Sequence, residues 1–346
     1  MNRRQFLGSS NCAALSSVGI FNTLANLRMI GNATATPGPG APGDYRALVC
    51  LFLHGGNDSY NMLVPTETAE YANYAAIRTN LALPDPASGD PKALLPLAVS
   101  NTPGRTFGLH HALPELQSLF NAGNAAFVAN LGTLVEPTTV SQYKNKSVAL
   151  PRSLFSHLDQ QEEWQTSVPQ SPYDTGWAGR LADRVMGFNS SNDISMNVSL
   201  AGNNTFQTGD GSFAYAISTS GAEILTGAAS AVASEMNRVD AAKSIVDHTY
   251  RDVLRRAFAD EANRSYESGE IFEAAFDAAT VTTPFPGHSV GQRLKAIAKT
   301  IAARGTLGHN RQIFFLEFGG YDNHGELLDT QEGLLGNLDA DLKAFW

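Results

Sequence analysis

Three short stretches carry residue types suited to metal binding or nucleophilic attack. The first, Leu53 to Pro65, reads LHGGNDSYNMLVP. Gly55 and Gly56 let the backbone turn sharply, and Asp58 follows within five residues of an apolar run. A carboxylate so placed can hold a divalent cation, with Asn57, Ser59 and Asn61 adding oxygen or amide groups. A Gly-Gly-Asn-Asp turn closed by an Asx hydrogen bond explains the same residues equally well. In the second, RSLFSHLDQQEEW, Ser156 stands where a helix starts, and Ser156 with Asp159 fits a variant of the capping box. The same position puts a hydroxyl at the positive end of a helix, where a phosphate or sulfate ester is stabilised and a nearby metal ion would make the hydroxyl a nucleophile. Spacing favours the cap of these two. Thr138 and Thr139, in GTLVEPTT with Glu136, are rival hydroxyls, and His157 could serve as base or ligand. The third stretch, FGGYDNHGE, sets Asp322 and His324 two residues apart between glycines. A carboxylate and a neutral imidazole suit zinc or manganese, and the pair resembles the Asp58 loop in kind and position; a solvated surface turn is the plainer alternative.

All three stretches follow segments that read as strands or open helices. Ala47–Leu53 is a continuous apolar run, as expected of a strand buried on both faces. Pro114 starts a helix carrying Leu116, Leu119 and Phe120, which Gly123 stops, and His110 and His111 stand where they could cap it. Ala125–Leu131 reads as a second strand, so that strand, helix and strand form a right-handed parallel crossover. Residues 191–207 read as short strands and loops. Residues 222–279 form an Ala-rich helical pattern that Pro284–Gly287 breaks. Ser289 can cap a helix bearing Val290, Leu294, Ile297 and Ile301; Ile313–Phe318 is a strand; and Leu334, Leu338 and Leu342 share one face of a last helix. His248 falls on a helix, and His288 and His309 in loops. These alternations predict an α/β fold, a three-layer sandwich around a mostly parallel sheet. In an open parallel sheet, ligands bind beyond the carboxyl ends of the strands, where the three stretches lie.

The N-terminus reads as an address. NRRQFL has the twin arginines and Phe-Leu of a twin-arginine export signal, Cys12–Leu27 is too polar to span a bilayer stably, and Ala33-Thr34-Ala35 is a small-x-small cleavage site. Residues 1–35 are therefore expected to be a signal peptide, 36–46 a Pro/Gly linker, and 47–346 one domain with a helical insertion near 222–283. Export of this kind carries folded proteins, often with a metal in place, to the periplasm or beyond. The 346 residues carry a net charge of −9, or −12 without the first 35, and only 16% are charged. So acidic a chain has no electrostatic case for nucleic acid or an anionic membrane. Cys50 would be the only cysteine left after cleavage, which excludes an intramolecular disulfide and points to a core thiol. Neither GxxxxGK[ST], a GxGxxG after a strand, HExxH nor GxSxG occurs, which argues against P-loop hydrolysis, dinucleotide redox chemistry, zincin proteolysis and the usual serine esterases. The chain stops at Trp346 inside an amphipathic helix, and we expect a domain that continues past it.

RRQFL, LFLHGGNDSYNMLVP, FGLHHALPELQSLFNAGNAAFVANLGT, LFSHLDQQEEWQTS, GWAGRLAD and LEFGGYDNHG span nearly the whole mature chain. Together they resemble the exported bacterial family called domain of unknown function 1501, within the alkaline phosphatase-like (sulfatase-like) superfamily. The resemblance implies the alkaline phosphatase-like fold and hydrolysis or transfer of phosphate or sulfate esters, commonly at two metal ions. It also implies a metal-binding role for Asp58, the nucleophile at Ser156 with Thr138 and Thr139 as rivals, and a ligand pair in Asp322 and His324. The superfamily's final Asp-His pair would lie beyond Trp346. The expected substrate is a small-molecule or polysaccharide ester, and the expected partner is the twin-arginine export machinery. A non-catalytic relative acting as a binding or assembly module, and an exported carbohydrate-binding protein, are the alternatives; aromatic residues, at 9% without a Trp or Tyr cluster, give the last little support.

Overall fold

The structure is a computed structural model that describes residues 44–222 and 232–346. The expected signal peptide and most of the linker lie outside the described residues, as does the stretch 223–231 of the expected helical insertion.

The strands are β1 (Arg46–Leu53), β2 (Leu63–Pro65), β3 (Leu95–Pro96), β4 (Phe107–Leu109), β5 (Asn197–Ser199), β6 (Tyr215–Ser218), β7 (Gly221–Ala222) and β8 (Arg311–Phe318). The α-helices are α1 (Thr68–Arg78), α2 (Pro114–Asn121), α3 (Val140–Asn145), α4 (His157–Thr166), α5 (Trp177–Val185), α6 (Ala233–Val246), α7 (Val253–Ala278), α8 (Ser289–Ala302) and α9 (Leu327–Phe345). The central sheet has the order β1-β8-β5-β6-β7. Its first three pairings are parallel and β6–β7 is antiparallel. A small antiparallel sheet, β2-β4-β3, lies apart from it.

Successive strand residues point to opposite faces, and the two faces bury different helices. Val49, Leu51, Phe314, Leu316 and Val198 pack with Phe272 and Phe276 of α7 and with Val290, Leu294 and Ile297 of α8. Cys50, Phe52, Ile313 and Phe315 pack with Trp164 of α4, Ala178 and Ala182 of α5, and Phe206. Helices thus cover both faces of a mostly parallel sheet. On the second face α5 lies almost directly on the backbone of the loop between β5 and β6: a Cβ at Gly179 would stand 2.1 Å from the Thr208 carbonyl carbon.

Two strand expectations are corrected. Ala125–Leu131 forms no strand; Val128 and Leu131 are exposed there, and the parallel neighbour of β1 is β8. Consequently β1 is an edge strand whose first three residues are exposed, while β8, with Gln312–Leu316 buried, is the doubly covered strand. The apolar run in β1 is half-buried on both faces, with Val49 and Leu51 on one and Cys50 and Phe52 on the other. The cap of α8 shifts by one residue, to His288, which makes no side-chain capping bond.

Candidate functional site

The carboxyl ends of β1 and β8 lie side by side, Leu53 opposite Phe318, and His54 N–H donates to the Phe318 carbonyl at 2.9 Å. The two loops that follow therefore start together. Gly55 has φ +115, a conformation L side chains rarely adopt, and a Cβ there would lie 3.0 Å from Asp322 N. A Cβ at Gly56 would lie 3.0 Å from Asp322 Oδ1 and 3.1 Å from His157 Cε1. The Gly-Gly pair is thus the floor on which Asp322 and His157 rest.

Asp322 Oδ1 stands 3.0 Å from His324 Nε2 and 3.7 Å from His157 Nε2. All three side chains remain open to solvent, 44% exposed for Asp322, 83% for His324 and 56% for His157. Donors around one tetrahedral zinc, with bonds of roughly 2.1 Å, stand about 3.4 Å apart, so these separations bracket the spacing of a shared ion. Among the described residues no three His, Cys, Asp or Glu side chains form a ready metal-holding group. An ion would have to draw the two exposed imidazoles inward around Asp322.

Asp58 lies on the loop after β1, three residues past Gly55, yet its carboxylate is engaged elsewhere. It pairs with the Arg78 guanidinium at the end of α1, and both side chains are largely buried. Gln331 of α9 donates from Nε2 to the Asp58 carbonyl at 2.8 Å and fixes the loop's backbone. Buried Asn61 pins the same loop to Leu81 O at 3.0 Å and accepts from the Tyr74 hydroxyl at 2.8 Å.

Ser156 is the N-cap of α4, where its Oγ accepts from Asp159 N–H at 3.4 Å. Its neighbour His157 brings it to the Asp322 cluster. Ser153 and Phe155, with φ +45 and +72, put two left-handed non-glycine residues into the turn just before it. Such backbone costs on the order of 1–3 kcal/mol per residue and gathers at functional turns. The Thr138 hydroxyl donates to Glu136 O at 2.8 Å, and Thr139 caps α3 in a capping box with Gln142. The structure therefore brings Asp322, His324, His157 and the Ser156 turn together, and commits Asp58 to Arg78. The sequence reading did not anticipate Arg78. Its only signal is a basic residue closing a helix twenty positions after an acidic loop.

The fold and this loop cluster define a mixed α/β protein with a mostly parallel sheet and its chemistry-bearing residues beyond the strands' carboxyl ends. The family model described as "Protein of unknown function (DUF1501)" matches residues 45–346, and the chain belongs to that family. Neither curated proteins nor solved structures gave a match.

Proposed function

We propose that the protein is an exported metal-dependent hydrolase of phosphate or sulfate esters, of alkaline phosphatase-like fold, acting on a small-molecule or polysaccharide ester. The observation that carries this reading is the gathering of two imidazoles at Asp322 Oδ1, His324 hydrogen-bonded to it and His157 3.7 Å away, with His157 next to a serine at a helix N-terminus. Asp322, His324 and His157 would hold a zinc or manganese ion, and such an ion supplies Lewis-acid polarisation of an ester oxygen. The N-terminus of α4 offers its N–H groups and positive dipole end to the ester's anionic oxygens. The Ser156 hydroxyl sits at that same end, on the turn shaped by Ser153 and Phe155, and is the nucleophile of this reading.

The test is turnover of aryl phosphate and aryl sulfate esters by protein supplied with zinc or manganese. Activity is expected with metal and lost with a chelator. Ser156→Ala should lower it by orders of magnitude and cost only about 1 kcal/mol of stability as a lost cap. Full turnover in Ser156→Ala would return the serine to capping and shift suspicion to Thr138 or Thr139. One observation favours the non-catalytic binding or assembly reading: Asp58 and Ser156 each already have an internal partner. No turnover on any ester, with or without metal, would select it.

A further inference from the structure

Helices α6 and α7 are held together more by polar ties than by packed side chains. Val239 is the one buried residue of α6. Asn263 Nδ2 donates to Asp247 Oδ1 at 2.8 Å, and Lys243 pairs with Glu270. Where the chain turns from one helix into the other, the pair leaves an open cavity of about 450 Å³, lined by Ile245, Val246, Tyr250, Leu254, Phe258 and Ala259. Sites for one small molecule measure about 300–1,000 Å³. Ala259 is buried at the base of the cavity, while Leu254 and Phe258 stand 63% and 74% exposed to water. The Tyr250 hydroxyl donates to Ile245 O at 2.8 Å, which leaves its ring as an apolar wall.

One charged side chain completes the lining, the exposed Arg255. Its backbone N–H donates to Asp252 Oδ1 at 2.9 Å, and its guanidinium has no carboxylate partner among the described residues. An apolar cavity with one permanent cation complements an alkyl chain that ends in an anion, and the planar guanidinium fork matches a carboxylate. A bilayer fits less well. Surface binding to anionic lipid takes a cluster of basic side chains, and here Arg251 and Arg256 are offset by Asp247 and Asp252 in a chain of net charge −9.

We propose that the turn end of the α6–α7 pair binds a free straight-chain carboxylate of the fatty-acid type, with its alkyl chain in the cavity and its head on Arg255. The site shares no residue with the Asp322 cluster and does not rest on the ester-hydrolase reading.

Isothermal titration calorimetry of the purified full chain with dodecanoate, kept below its micelle concentration, tests this. Saturable binding of one dodecanoate per chain is expected. Octanoate, four methylenes shorter, should bind more weakly by about tenfold or more. Dodecyltrimethylammonium, with the same tail and a cationic head, should bind far more weakly although the chain is acidic. Arg255→Gln and Phe258→Gln should each weaken dodecanoate by about tenfold with an unchanged circular dichroism spectrum, since both side chains are exposed. No binding by the wild type, equal binding of the cationic amphiphile, or undiminished binding in either variant would overturn the site. Two other occupants would also replace it. Co-sedimentation with anionic phospholipid vesicles, abolished in Arg255→Gln and seen without binding of free dodecanoate, would assign the face to a membrane. A dimer in analytical ultracentrifugation that Phe258→Gln dissociates would assign it to a second copy of the chain.

Discussion

His110 is fully buried, and His111 stacks on it with ring centroids 4.3 Å apart. Its Nδ1 accepts from Ala112 N–H at 3.1 Å, which leaves the proton of a neutral ring on Nε2. Burial, assisted by the neighbouring His111, pushes its pKa down to about 4 from an ordinary 6.5. The unfolded chain then binds more protons than the folded one between those values. Stability should therefore fall as the pH drops from about 6.5 towards 4, by an amount on the order of 3 kcal/mol. Asp339 and Asp341, whose carboxyls burial pushes up, have the opposite slope, so the comparison needs a variant. Urea unfolding at a series of pH values should show a flatter acid limb in His110→Gln than in the wild type; equal slopes would contradict the assignment. At this scale the chain was partly readable. Asp322 and His324 sit two apart on one loop and meet as their spacing implies. The partner of Asp58 was not readable, because it comes from the far end of a helix in another part of the fold. Cys50, expected as a core thiol, is half-buried at the edge of the cluster that holds Phe52 and Phe315, and burial pushes it up to about 12.

Among the elements, α9 ties two other helices to itself through carboxylates two positions apart. Asp339 is buried and accepts from the first-turn N–H groups of α2, Glu115 at 3.0 Å and Leu116 at 2.9 Å. Asp341, also buried, stands 3.1 Å from His288 Nδ1 at the start of α8, where a Cβ at Gly291 would come within 2.5 Å of its Oδ1. Each carboxylate thus occupies the positive end of a helix that lacks a side-chain cap of its own. Asp339→Ala should cost about 1–2 kcal/mol, read as a lower denaturant midpoint with an unchanged slope. The helices themselves were legible: Pro114 and Gly123 bracket α2, and the apolar periods of α8 and α9 fall on buried faces. The strand count was less legible. An apolar run says that side chains avoid water and not which backbone will pair with them, so Ala125–Leu131 read like β1 and has no partner strand. Strands of two or three residues, such as β2, β3 and β4, are too short to show any period.

For the molecule as a whole, the proposed destination is the periplasm or the exterior, reached in the folded state. Replacing Arg3 and Arg4 with Lys should keep the precursor in the cytoplasm, as followed by immunoblot of periplasmic extracts. Mature protein appearing in undiminished amount would remove the twin-arginine assignment. No described helix is long and apolar enough to cross a membrane.

The pairing of β1 with β8 also sets a timetable. The first strand of the described chain binds along its whole length to the last, with every other described element except α9 synthesised in between. A nascent chain emerging from the ribosome therefore carries β1 without β8, its one partner among the described residues, as an apolar edge open to wrong pairing. The loops bearing Gly55, Asp58 and Asp322 cannot meet until synthesis has passed Phe318. Closure over so long a stretch of chain belongs to the slow class of folding events. Any ion that the Asp322 cluster takes must arrive after synthesis has passed that loop, and helpers that shield β1 would act in that interval.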